Sequence, residues 1–162
     1  ERQIGRTPRG VLDVSYRCPC GEPAVVTTAP RLDDGTPFPT TYYVTCPRLT
    51  SAIGTLEGDG GMREMEERLA VDDALRRQYL DAHERYLAER RRLGEVPEID
   101  GISAGGMPRR VKCLHVLVGQ ALANGPGVNP FGDEALEAVG SWWDPVACGE
   151  LHPPGAEDPA GE

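Results

Sequence analysis

Three stretches of this chain carry side chains able to ligate a soft metal or attack an electrophile: Cys18-Pro19-Cys20-Gly21, Cys46-Pro47 and Cys113-Leu114-His115. Thiolate and imidazole are the donors of structural zinc sites, and thiolates also hold iron–sulfur clusters. Cys18 continues the alternation of Leu12, Val14 and Tyr16, and Cys46 continues that of Tyr42 and Val44. If those faces turn inward, both thiols stand at strand ends and look the same way. Cys113 lies in a strongly apolar helical stretch that would pack on that face, with Cys20 or His115 available as a fourth donor. One geometric obstacle accompanies this reading. Residues i and i+2 of a regular helix lie about 200° apart, so Cys113 and His115 cannot both reach one ion from a helix interior.

Two other fates compete for these cysteines: burial as small hydrophobes, and service as a reactive thiol. Pro47 suits the first helical position, which makes Cys46 the N-cap, where the helix dipole favours a thiolate. Cys46 with His115 as its base would then be a nucleophile, and a zinc with an open position would instead activate water. A second candidate site is the loop Ser103–Lys112, which enters the expected helix 108–124. Gly105, Gly106, Arg109, Arg110 and Lys112 could hold an anion there, such as a phosphate group, against the helix N-terminus. The same glycines would also serve a tight turn with a solvated basic edge. His83 falls on the shoulder of a helix stripe, Arg90-Arg91-Arg92 ends that helix as a solvated, dipole-compatible run, and Cys148 and His152 receive no role.

The elements that must position these groups change period along the chain. Alternation predicts strands around Leu12–Arg17, Ala24–Ala29 and Thr41–Thr45. From Pro47 the spacing becomes helical: Leu49, Ile53 and Leu56, then Met62, Met65 and Leu69, then Leu75, Tyr79, Ala82 and Tyr86 up to Leu93. Asp72–Arg76, Asp73–Arg77 and Asp81–Arg85 are favourable i,i+4 pairs. A last helix would carry Leu136, Val139 and Trp143, capped by Asp133. The fold class is therefore α+β, a small antiparallel N-terminal sheet of about three strands packed against four or five helices. A single domain over 1–143 would be followed by a Pro/Gly/acidic tail over 144–162.

The 162 residues carry 17 Lys+Arg against 26 Asp+Glu, a net charge of −9. That balance speaks against general binding to a nucleic-acid backbone. No apolar run reaches the ~18–20 residues of a membrane helix, and no signal-peptide pattern opens the chain. Five cysteines, an odd count, do not suggest a disulfide framework. A single lysine among many arginines, with 20 Gly and 15 Pro, is typical of a GC-rich bacterial genome. These traits describe a bacterial cytoplasmic protein whose partner is another protein or a small anionic ligand, with no membrane.

Arg17-Cys18-Pro19-Cys20-Gly21, the segment from Asp34 to Thr40, Tyr42 to Pro47, Gly105 to His115 and Gly125 to Gly132 together resemble the bacterial family catalogued as domain of unknown function 501, in its actinobacterial form. The resemblance spans about Arg2 to Trp143. It implies Cys18, Cys46, Cys113 and His115 as the metal site, with Cys20 as a substitute ligand. Relatives carry histidine where this chain has Gln120, so the resemblance implies no second metal or base role there. The leading expectation is a Cys/His site, zinc or alternatively an iron–sulfur cluster, joining sheet to buried helix in a binding or regulatory protein. The alternative is an enzyme that uses Cys46 and His115, or an open zinc, on a small anionic substrate.

Overall fold

Three strands, β1 (Val11–Arg17), β2 (Pro23–Thr28) and β3 (Tyr42–Val44), pair antiparallel in chain order in the computed structural model, which describes residues 2–143. β-branched residues fill the middle strand, where Val25 faces Tyr16 on one side and Val44 on the other. Ala24, Val25 and Val26 are all buried, because helices cover one sheet face while Ile4, Pro8 and Phe38 stand over Val26 and Tyr43 on the other. β1 departs from the alternation expected of it. Register shifts interrupt its pairing at three places, and Leu12 is 54% exposed instead of facing the core. Cys18 and Cys46 nevertheless end in the core, in one cluster with Tyr42 and Val44.

The helices are α1 (Pro47–Gly58), α2 (Gly61–Val71), α3 (Asp73–Leu93), α4 (Leu114–Asn124) and α5 (Pro130–Val139), with a short 3-10 turn at Pro97–Ile99. Their apolar stripes meet: Leu49 and Ile53 from α1, Met65 and Leu69 from α2, and Tyr79, Ala82 and Tyr86 from α3 are buried around α4. Two glycines set how closely α4 is approached. A Cβ at Gly119 would lie 2.9 Å from the Tyr42 carbonyl oxygen, and one at Gly132 would lie 2.3 Å from that of Leu117. α4 therefore rests directly on β3, and α5 directly on α4. The α+β class is as the sequence predicts.

Several local expectations are corrected. α4 begins at Leu114, not at Pro108, because Gly105 and Gly106 take positive φ (72° and 94°) and fold the preceding segment into a turn. In that turn the Arg110 N–H donates to the Gly106 carbonyl and the Lys112 N–H to the Gly105 carbonyl. Asp72 caps α3 by accepting from the Ala74 and Leu75 N–H groups, so Arg76 pairs with Asp73 instead. Asn129, not Asp133, caps α5; Asp133 accepts from the Gly127 N–H. Arg90 is buried at 4% exposure, donating to the carbonyls of Ile99 and Pro39, whereas Arg91 pairs with Asp100 and Arg92 with Glu89. Among the described residues no helix is long and apolar enough to cross a membrane. Cys148, His152 and the expected tail lie outside the described residues.

Candidate metal centre

The start of α4 at Leu114 removes the obstacle to joint action by Cys113 and His115. Cys113 is the N-cap, with extended backbone (φ −156°, ψ 108°), so the two side chains are not held on opposite sides of a helix. The Cys113 Sγ lies 3.9 Å from His115 Nδ1. Gly105 helps to fix this corner, since a Cβ there would stand 3.2 Å from the Cys113 carbonyl oxygen. The α4 end lacks a side-chain cap of its own. Glu57 from the last turn of α1 takes that place, its Oε1 accepting from the Leu114 N–H at 2.6 Å.

Glu57 Oε1 also lies 3.3 Å from His115 Nδ1. The other ring nitrogen, Nε2, is 3.2 Å from the carbonyl oxygen of Thr50, seven residues before Glu57 on α1. Glu57, Cys113 and His115 thus offer one carboxylate oxygen, one sulfur and one ring nitrogen, all within 4.8 Å of one another. All three residues are half-buried. The hydrogen bond that His115 Nδ1–H donates to the Cys113 sulfur, with the charges of Glu57 and Cys113 behind it, lifts the imidazole pKa to about 9 against the opposing effect of burial. Without a metal, His115 is therefore an imidazolium at neutral pH, its proton lying between sulfur and carboxylate.

Of the predicted metal ligands, the structure brings Cys113 and His115 together and adds Glu57. Cys18, Cys20 and Cys46 are not part of that group. Cys46 is fully buried at the N-cap of α1 and Cys18 is 3% exposed, while Cys20 is half-buried in the turn where the Gly21 N–H donates to the Cys18 carbonyl. The group joins α1 to α4, with no donor from the sheet. Glu57 escapes sequence reading because acids lie on every solvated helix face. One signal stood in its favour: a carboxylate in the last turn of a helix opposes the dipole, unless it serves something else.

The predicted anion loop is placed differently from its premise. The helix N-terminus lies beyond it and already holds the Glu57 carboxylate. Within the loop, Glu66 accepts from the Val111 N–H at 3.0 Å and pairs with Arg110 at 3.3 Å. Gly105 and Gly106 supply the turn, and Arg109 and Lys112 are exposed. His83 is buried, 7% exposed, and its pKa is lowered by that burial.

Fold and site together define an α+β protein with a preformed three-donor N/O/S centre between two helices. The family described as protein of unknown function (DUF501) matches residues 14–137, and the chain belongs to it. No curated protein and no solved structure matches it.

Proposed function

We propose that the protein binds zinc through Glu57, Cys113 and His115, and that the metal ties the end of α1 to the start of α4. One observation carries this reading: sulfur and carboxylate converge on the same nitrogen of His115, while the other nitrogen is spent on a backbone carbonyl. A catalytic relay needs the reverse, with nucleophile and orienting acid on opposite nitrogens. A ligating histidine does what is seen here, donating its remote N–H to a carbonyl that fixes ring and tautomer. The spacings suit zinc. Tetrahedral zinc with ordinary bond lengths separates nitrogen from sulfur by about 3.6 Å and nitrogen from oxygen by about 3.3 Å. The corresponding distances are 3.9 Å and 3.3 Å. A thiolate donor argues against magnesium or calcium. A reducing compartment such as the bacterial cytoplasm suits a half-buried thiolate ligand.

The test is metal content on protein purified without an affinity metal, followed by cobalt(II) titration. About one equivalent of metal per chain is expected, with a thiolate-to-cobalt charge-transfer band that Cys113→Ala removes. His115→Ala should weaken loading by at least tenfold while far-ultraviolet circular dichroism stays native. A folded wild-type chain that takes up neither metal overturns the proposal.

The half-buried Cys113 thiol beside an imidazolium supports a second reading, a nucleophilic cysteine. That role was expected of Cys46, which is fully buried. Rapid alkylation of Cys113 by iodoacetamide at pH 7, in a chain that binds no metal, would favour this alternative.

A further inference from the structure

The zinc reading leaves one coordination position to be filled. Glu57, Cys113 and His115 are the one group of this kind among the described residues, and it supplies three donors. Three protein donors with a fourth position for water is the pattern of exchangeable, chemically active zinc, whereas a purely structural zinc is closed by four. The surroundings of the site indicate where an outside ligand would approach. His115 lies along α1, one ring nitrogen at the Thr50 carbonyl and the other at the Glu57 carboxylate. Gly54 lies between these two residues on the same side of the helix, four after Thr50 and three before Glu57. Its inward neighbour Ile53 is fully buried, but Gly54 is exposed, and a Cβ placed there would meet nothing within 4 Å. Gly119 and Gly132 are helical glycines that a neighbouring backbone requires; Gly54, like Gly58 at the end of the same helix, is a helical glycine that nothing among the described residues requires. Glycine is the poorest helix former after proline, so packing among the described residues gives no reason for it here.

Resting on that zinc reading, we infer that the metal keeps its fourth position for a ligand from outside the chain, a carboxylate group that enters over Gly54. The charge of the centre selects this class. Zinc with one thiolate, one carboxylate and a neutral imidazole carries no net charge. Its bound water is therefore less acidified than on a zinc held by three neutral histidines, and it leaves readily as water. One monoanionic oxygen donor is well tolerated there, since closed four-thiolate zinc sites carry more negative charge. A phosphate would bring a larger charge and need cations beside it. The stretch of α1 from Thr50 to Gly58 contains no Lys or Arg. Its exposed residues there are Thr50, Ser51, Gly54, Thr55 and Gly58, small and uncharged.

The experiment uses the full chain loaded with cobalt(II). Acetohydroxamate, which presents carboxylate-like oxygens to a metal, should shift the visible bands saturably. Acetate should do the same at higher concentration, and inorganic phosphate should leave the bands unmoved. Gly54→Leu should load cobalt as the wild type does yet lose at least tenfold in its response to acetohydroxamate, because its side chain fills the approach. Loaded cobalt whose spectrum none of the three probes changes means a coordination sphere closed by the chain; that overturns this inference and leaves the zinc reading standing. A response to phosphate alone overturns the ligand class. An unchanged response in Gly54→Leu overturns the route. Failure to load cobalt at all defeats the zinc reading itself, and this inference falls with it.

Discussion

At the scale of single residues, His115 is where charge and chemistry meet. Its Nδ1 is shared by the Cys113 sulfur and the Glu57 carboxylate, whose hydrogen bonds and charge hold its proton up to a pKa of about 9, so an incoming metal competes with that proton. Zinc affinity should consequently rise by about tenfold per pH unit for the imidazole proton alone, and this dependence should end near pH 9. Competition against a chelator of known affinity at pH 6.5, 7.5 and 8.5 checks it, and an affinity flat across that range would contradict the assignment of Nδ1 as donor. Glu57→Gln keeps an acceptor for the Leu114 N–H but removes the negative charge. It should lower the His115 pKa and weaken the metal together. Two of the three donors of this centre were legible in the sequence, since Cys113 and His115 stand out by type. The carboxylate was hidden by abundance: apart from its place in the last turn of α1, nothing local separates Glu57 from the other acids until the fold sets α1 beside α4.

At the scale of elements, the chain shows how the same residue type can have opposite consequences. Gly132, in the first turn of α5, and Gly54, inside α1, are both helical glycines, and alanine in either position gains up to ~1 kcal/mol of helix propensity. At Gly54 that gain should survive, because a Cβ there meets nothing, and Gly54→Ala should stabilise by about 0.5–1 kcal/mol. At Gly132 the new Cβ would fall 2.3 Å from the Leu117 carbonyl oxygen and 2.8 Å from the Ala121 Cβ. Backbone cannot yield as a flexible side-chain tip can, so Gly132→Ala should destabilise by about 2–3 kcal/mol. Urea denaturation of the two variants reads both signs, and a neutral Gly132→Ala would mean that α5 does not press on α4 as seen. The helices themselves were readable because periodicity reports burial: α1 begins at Pro47, α2 spans Met62, Met65 and Leu69, and α3 ends at Leu93, as the spacing predicts. The start of α4 was not. Met107 and Val111 are both buried and prolong its apolar pattern backward, while the two left-handed glycines that break it act through backbone geometry, which periodicity does not register. β1 misled for a related reason: alternation assumes unbroken pairing, and its register shifts turn Leu12 outward.

At the scale of the whole molecule, the two described histidines titrate in opposite senses and so bracket the stability of the metal-free protein. His83 is buried as a neutral ring, its pKa pushed below the ordinary 6.5 by desolvation. The unfolded chain then binds a proton more readily than the folded one, so this stabilisation is present above pH 6.5 and is lost as pH falls below it. His115 runs the other way. Its folded pKa of about 9 exceeds 6.5, so its contribution is full below pH 6.5 and disappears as pH rises through about 9, a loss of up to about 3 kcal/mol. From these two groups, metal-free stability should be greatest near pH 6.5 and decline on both sides. Zinc should remove the alkaline decline alone, because the bound ion replaces the His115 proton and is held more tightly as pH rises, whereas His83 is no part of the metal group. Denaturation midpoints at pH 5.5, 6.5 and 9, with zinc and with a chelator, separate the two arms. His115→Asn should flatten the alkaline arm of the metal-free protein and abolish its response to zinc, leaving the acid arm in place. An alkaline arm that persists in His115→Asn would place the titrating group elsewhere and remove His115 from the centre of the fold's electrostatics.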